Sequence, residues 1–246
     1  MKIHTLISPV SVEDLYFAGK TTVVIDVLRA TTTIVTALSN GAKEVIPVST
    51  IGFAMKVSGN AFGGKTLLGG ERNAKKIEGF PLGNSPLEYS EDIVKDKSIV
   101  LFTTNGTKAI VRAKYSDNLY ICSFQNINAI AKELAELNND IEIVCAGSHG
   151  MFSLEDSVCA GCLIERIKNY TSDISYSDAS KCSVMLYNKF KNDILGMLKE
   201  SEHGKLLIDY GFENDLEFAS QVDVQHIVPV YNSGVIKKKD TIQSDG

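Results

Sequence analysis

No stretch of this 246-residue chain is apolar for long enough to cross a bilayer as a helix, so a membrane span is not expected. The N-terminal stretch MKIHTLISPVSVEDLYF lacks the long apolar core and small-residue cleavage site of a signal peptide, and a cytoplasmic chain is expected. Basic clusters are also scarce. Lys237-Lys238-Lys239 is the one run, expected to lie in a solvated tail, and 25 basic against 30 acidic residues leave a net charge of -5. That balance argues against nucleic acid as a partner. Cysteines number five, an odd count that argues against a disulfide framework. Cys159 and Cys162 form a C-x-x-C, but inside an expected helix (154–168), without a redox βαβ context or a second cysteine pair for zinc; packing is the simpler reading. A Walker P-loop is missing, as are low-complexity linkers and clean boundaries, so one domain is expected over 1–246. The 44% hydrophobic content and mean hydropathy of +0.01 describe an ordinary globular chain.

What the chain does have is a repeated unit: a β-branched strand, a turn rich in Thr or Gly, and a helix start. The clearest example is Val23 to Thr36. Val23-Val24-Ile25 reads as a buried strand with Asp26 at its end. Arg29 follows in the loop, and Thr31 to Thr33 open a helix that Asn40-Gly41 stops. A carboxylate, a guanidinium and a helix N-terminus thus meet at the carboxyl end of a strand, the usual ligand crevice of open α/β sheets. Such a helix start attracts phosphate, Arg29 can grip it bidentately, and Asp26 offers a hard oxygen to Mg²⁺. The plainer alternative is that Asp26 caps the turn and pairs with Arg29 on the surface.

The second unit has a strand at 98–102, the turn Thr103-Thr104-Asn105-Gly106-Thr107, and a helix through 109–113. Gly106 supports a tight, donor-rich turn, as a phosphate cradle requires. The third unit runs from a strand at 141–145 through Ala146-Gly147-Ser148-His149-Gly150 to a helix at Ser153. Ser153 and Asp156 fit a capping box; alternatively Glu155 or Asp156 faces the crevice of Asp26. His149 is either a general acid or base or a solvated bystander. Between units, Glu71-Arg72 is expected just past a short strand at 66–68, beside glycines that let a backbone approach a ligand. Asn84-Ser85-Pro86 reads as a turn, in which Asn84 and Ser85 touch a ligand or Ser85 caps a helix. Further strands are expected at 3–6, 44–47 and 118–122, and helices at 51–58 and 127–137. A short helix is expected to start at Ser11, and 60–65 is a Gly-rich loop. Residues 175–198 read as mostly helical, 212–219 as a short helix, and 222–230 as an extended segment whose Pro229 suggests a sheet edge. Residues after 235 are expected to fray. This repetition favours a three-layer α/β/α sandwich.

Several of these motifs, taken in order, resemble one family. They are Asp26-Val-Leu-Arg-Ala-Thr-Thr-Thr33, Gly70-Glu71-Arg72 with Gly79-Phe80, Gly83-Asn84-Ser85-Pro86, Thr104-Asn105-Gly106-Thr107 and Phe152-Ser-Leu-Glu-Asp156. Ser201-x-His203-Gly204 and Gly211-Phe-Glu-Asn-Asp-Leu216 extend the pattern. The chain resembles the 2-phosphosulfolactate phosphatases of coenzyme M biosynthesis over nearly its whole length. The resemblance implies a mixed, largely parallel sheet and a Mg²⁺-dependent phosphatase that converts 2-phosphosulfolactate to sulfolactate and phosphate. On that reading Asp26, Glu71 and Asp156 carry the chemistry, and Asp26, Glu71, Glu155 and Asp156 are the candidate metal ligands. Arg29, Thr31, Arg72, Asn84, Ser85, Asn105, Gly106, Thr107, Gly147 and Ser148 would hold a small anionic organophosphate. Attack by Asp26 itself and attack by water both stay open. The alternatives are a phosphatase for other 2-phospho-hydroxy acids and a non-catalytic anion-binding protein; a homodimer is left open.

Overall fold

The computed structural model describes residues 1–8, 12–60 and 66–239; the expected helix start at Ser11 and most of the Gly-rich loop lie outside it. The strands are β1 (Lys2–Leu6), β2 (Thr21–Ile25), β3 (Glu44–Val48), β4 (Thr66–Arg72), β5 (Lys75–Lys76), β6 (Ser98–Phe102), β7 (Asn118–Cys122), β8 (Ile141–Cys145), β9 (Ser175–Tyr176), β10 (Pro229–Asn232) and β11 (Val235–Lys238). The helices are α1 (Ala30–Ser39), α2 (Ile51–Asn60), α3 (Glu91–Val94), α4 (Gly106–Arg112), α5 (Ile127–Leu137), α6 (Leu154–Ile167), α7 (Asp178–Phe190), α8 (Ile194–Glu200), α9 (Glu202–Asp209) and α10 (Glu213–Ala219). Among the described residues, no helix is long and apolar enough to cross a membrane.

All eleven strands join one sheet in the order β5-β4-β6-β3-β11-β10-β7-β2-β8-β1-β9. It contains two parallel groups, β4-β6-β3 and β7-β2-β8-β1-β9. The hairpin β10-β11 joins them, antiparallel to both neighbours. The sheet is therefore mixed and mostly parallel. Strands β2, β3 and β6 are rich in β-branched residues and buried on both faces, as parallel strands under helices must be.

Alternation along β2 divides the core into layers. Val23 and Ile25 pack with Ile130 and Leu134 of α5 and Val158 and Leu163 of α6. Val24 faces the other way, onto Ile34, Val35 and Leu38 of α1 and Ile110 of α4. A third cluster seats α2 through Ala54 against Val48, Leu68 and Val100. The α1 layer draws on strands of both parallel groups: Val45 and Ile99 from one, Leu119 and Val144 from the other. α4 likewise packs against β3 and β2. Since β4 and β2 stand six places apart in the order, a flat sheet would separate them by roughly 29 Å at about 4.8 Å per strand. The sheet curls instead around α1 and α4, and the carboxyl ends of the two groups converge.

Several expectations change here. Glu71 and Arg72 are the last residues of β4, not loop residues past it, because pairing with β6 carries the strand on through Gly69 and Gly70. Gly70, at φ +140°, is required: a Cβ there would strike the Phe102 carbonyl. Pro229 opens an interior strand, β10, rather than an edge; it occupies the first strand position, where its missing N–H is tolerated. Residues 235–238 form interior strand β11 rather than fraying, and the lysine run is tied down. Lys237 Nζ lies 3.3 Å from Glu44, and Lys239 Nζ binds both Glu133 oxygens at 2.7 and 2.8 Å. Residues 175–198 divide into β9, α7 and the start of α8. The cysteine expectation holds: Cys159 and Cys162 are free and buried, and burial pushes both thiols up.

Ile236 is fully buried between the two parallel groups. Ile236→Ala is expected to destabilise the protein by ~2–5 kcal/mol, the cost of an unfilled core site. Urea denaturation measures it; a loss below about 0.5 kcal/mol, the scale of surface substitutions, would return the segment to a dispensable tail.

Candidate active site

The converging strand ends enclose a cavity of about 170 Å³, bordered by Asp26, Arg29, Glu71, Asn84, Thr104, Asn105, His149 and His203. Asp26 follows β2 and is buried. Its Oδ1 accepts the Ala30 N–H at 3.2 Å, at the start of α1, and its backbone N–H donates to Thr31 Oγ1 at 3.0 Å. The expected cap is thus real, but it occupies one carboxylate oxygen. Oδ2 lies against Gly106, where any Cβ would collide with the Asp26 carboxylate and with Ala30. Only glycine lets α4 approach Asp26 this closely.

Glu71 reaches the cavity from β4. Its Oε2 accepts the Ala74 N–H at 2.7 Å and the Thr104 hydroxyl at 3.1 Å, and its Oε1 accepts the Thr104 N–H at 2.6 Å. These three donors fix the carboxylate without neutralising it. Burial, followed by the charges of Glu71 and Glu155, pushes Asp26 up to about 7, against the pull of the Ala30 N–H and Arg29.

Arg29 lines the same cavity, but its charge is already matched. Nη1 donates to Asp215 Oδ2 at 2.6 Å, Nη2 donates to the Ala74 carbonyl at 3.1 Å, and the guanidinium stacks 4.4 Å from the Phe212 ring centroid. Asp215 also accepts Ser85 Oγ at 2.6 Å through Oδ1. The Leu28–Arg29 peptide is cis. Neither a surface pair with Asp26 nor an open bidentate fork is seen. What remains is Arg29 Nε, buried without a hydrogen-bond partner, together with Asn84 Oδ1 in the same condition.

The other expected site residues divide by whether they reach the cavity. Thr31, Thr32 and Thr33 are fully buried, and their hydroxyls donate to the carbonyls of Asp26, Val27 and Asn84. Thr107 is closed in a reciprocal pair with Thr103. A helix buried on all sides must satisfy its hydroxyls internally, which removes them from ligand binding. Ser85 is held by Asp215, and Asn105 Oδ1 accepts the His149 N–H at 3.2 Å. Asp156 borders the loops, not the cavity: Oδ1 accepts the Val27 N–H at 2.9 Å and Oδ2 the Gly147 N–H at 3.1 Å. Burial and the charges of Asp26 and Glu155 raise it, against those two bonds. Its own N–H donates to Ser153 Oγ, the N-cap half of the expected capping box; the return bond is replaced by those to Val27 and Gly147. Glu155 is also raised by burial, opposed by hydrogen bonds from Ser153 and Ser201. Ser148 closes a local bridge with Met151. Arg72 is exposed and borders a neighbouring cavity.

The four-carboxylate metal set is therefore not assembled: no group of three or more His, Cys, Asp or Glu able to hold a metal is present among the described residues. Asp26 and Glu71 alone share the cavity. Mg²⁺ commonly takes one or two carboxylates and completes its shell with water and substrate oxygens, so this pair fits such an ion. Asp215 was missed in sequence, because its role depends on a contact with Arg29 across 186 residues. His203, from α9, is the second addition; burial and the Arg29 charge lower it to about 4, so its imidazole is neutral near pH 7.

Residues 8–234 match the family described as 2-phosphosulpholactate phosphatase. The chain belongs to that family. A Clostridium acetobutylicum relative is 41% identical over 236 residues, covering 96% of this chain and 100% of its own length. One from Caldanaerobacter subterraneus subsp. tengcongensis is 42% identical over 227 residues, 92% of this chain and 94% of the relative. A third, from Symbiobacterium thermophilum, is 43% identical over 219 residues, 89% and 94%. Each is described as a probable 2-phosphosulfolactate phosphatase.

Two measurements follow from this geometry. Asp215→Ala strands the Arg29 charge in the interior and is expected to cost ~3–5 kcal/mol in urea denaturation; an unchanged midpoint would show that the pair is not closed in solution. The second concerns Asp26, whose folded value near 7 exceeds the unfolded carboxyl value near 4. Its stabilising contribution is complete below about pH 4 and is lost as pH rises through 7. In EDTA, Asp26→Asn should therefore raise Tm over wild type at pH 8, with the gain shrinking as pH falls and vanishing only below about pH 4. A wild-type advantage that grows with pH would contradict the assignment.

Proposed function

We propose that this family member hydrolyses 2-phosphosulfolactate to sulfolactate and inorganic phosphate, with Mg²⁺ held by Asp26 and Glu71. The observation that carries the reading is the buried Asp26–Glu71 pair in a small cavity whose one buried cation, Arg29, is already balanced by Asp215. Two uncompensated carboxylates repel an anion, so a phosphate site here calls for a divalent ion. Bound there, Mg²⁺ supplies charge neutralisation at the phosphoryl oxygens. The relatives' names supply the substrate class.

The chain's own groups account for the rest. Glu71 is held by three donors and Asp26 by the first turn of α1, so neither needs to reorganise during reaction. Arg29, paired with Asp215 and stacked on Phe212, borders the cavity as a fixed positive group. His203 borders the cavity as a neutral imidazole, and Asn105 fixes the His149 backbone beside it. Asp26 borders the cavity, and attack by Asp26 itself and attack by a water it orients both stay open.

Phosphate release from 2-phosphosulfolactate should cease in EDTA and return with Mg²⁺. Asp26→Asn preserves the cap, since Asn and Asp cap equally well, yet should lower kcat by roughly a hundred- to a thousandfold. Undiminished turnover in EDTA would remove the metal from the mechanism, and release from other 2-phospho-hydroxy acids alone would redirect the substrate assignment.

A further inference from the structure

Beside the main cavity lies a second, of about 380 Å³, bordered by Ser49, Thr50, Arg72, Asn73, Thr104 and Lys108 among others. Asn73 and Thr104 border both, so the two spaces share a wall. Their charges are opposite in kind. The main cavity holds Asp26 and Glu71; the second has two cations and no acidic residue on its wall. The division arises from strand alternation: Glu71 turns inward from the end of β4, and Arg72, next in the strand, turns to the other side. Lys108 comes from α4, two residues past the glycine packed on Asp26. Arg72 and Lys108 are both exposed, and neither has an ion-pair partner among the described residues. Other surface lysines, such as Lys95 with Glu91 and Lys199 with Glu213, do have acidic partners.

We propose that Arg72 and Lys108 form a subsite for the carboxylate and sulfonate end of the substrate, while the phosphoryl group lies at Asp26 and Glu71. This rests on the proposed reaction and assigns the far end of the same substrate. An α-phosphorylated carboxylate with a sulfonate tail is anionic at both ends, and only one end can occupy the carboxylate-lined cavity. The other end meets a planar guanidinium suited to bidentate carboxylate or sulfonate contact and an ammonium suited to a point charge. Ser49 and Thr50 border the same space with hydroxyls. A phosphomonoester with a neutral tail gains nothing from this subsite, so Arg72 and Lys108 select for the anionic tail.

The test compares wild type with Arg72→Met/Lys108→Met, which keeps the aliphatic bulk of two exposed side chains and should leave Tm unchanged. Calorimetric titration with sulfolactate should show binding to wild type and a loss of roughly tenfold or more in the double variant. Binding of inorganic phosphate in the presence of Mg²⁺ should be unchanged. In turnover, KM for 2-phosphosulfolactate should rise far more than kcat falls, and kcat/KM for glycerol 2-phosphate should stay constant. Equal sulfolactate affinity in both proteins, no sulfolactate binding to wild type, or equal weakening of phosphate and sulfolactate would each overturn the subsite. Sulfolactate binding that depends on Arg72 and Lys108, in a wild type that releases no phosphate, would uphold the subsite and instead overturn the proposed reaction.

Discussion

Asp26 and Glu71 are buried in one cavity, where burial and the Glu71 charge raise the cost of ionising Asp26, and most of the architecture around them manages that cost. Arg29, Asp156 and Arg72, three charged groups nearby, are each matched, hydrogen-bonded or turned away. Arg29 is matched by Asp215 and clamped by Phe212. Asp156 is tied to the Val27 and Gly147 N–H groups. Arg72 points out of the cavity. The two carboxylates are left with neutral donors only, which orient them and leave their charge in place. A buried anionic pair of this kind destabilises the fold unless an ion completes it, so the stability cost and the inferred metal site share one cause.

The fold makes this pair possible by curling. Asp26 and Glu71 end strands six places apart, and only a sheet wrapped around α1 and α4 brings them together. α1 is consequently buried all round, which explains its composition: small and β-branched residues that fit between layers, with four threonine hydroxyls all bonded to backbone carbonyls. The hairpin β10-β11 closes the join between the parallel groups. The last described residues of the chain thus form the interior of the sheet, anchored by Ile236 and by Lys239 on Glu133.

Local chemistry made much of this legible in sequence. β-branched runs located β2, β6, β7 and β8 to within about two residues, because burial on both faces leaves a continuous apolar signal. Asp26 was found because it interrupts such a run. The curl left no local trace, and the errors follow from it. The threonines of α1 looked like ligand donors when read against an open crevice, and the last strand looked like a tail because the strand that takes it into the sheet interior, at Val45, is distant in sequence. Arg29 looked available because its counter-charge, Asp215, comes from a helix near the other end of the chain. Glu155 and Asp156 carry the right groups, and the cap at Ser153 was legible, but the Val27 and Gly147 N–H groups that hold the Asp156 carboxylate come from other loops and left no local signal.

The central claim is that Asp26 and Glu71, and not Glu155 or Asp156, hold the divalent ion. Manganese binding read by electron paramagnetic resonance at neutral pH, without substrate, addresses it independently of turnover. One Mn²⁺ per chain is expected in wild type and in Glu155→Gln, and severely weakened binding in Asp26→Asn and in Glu71→Gln. Mn²⁺ affinity unchanged in Asp26→Asn, or lost in Glu155→Gln while Glu71→Gln still binds, would contradict it.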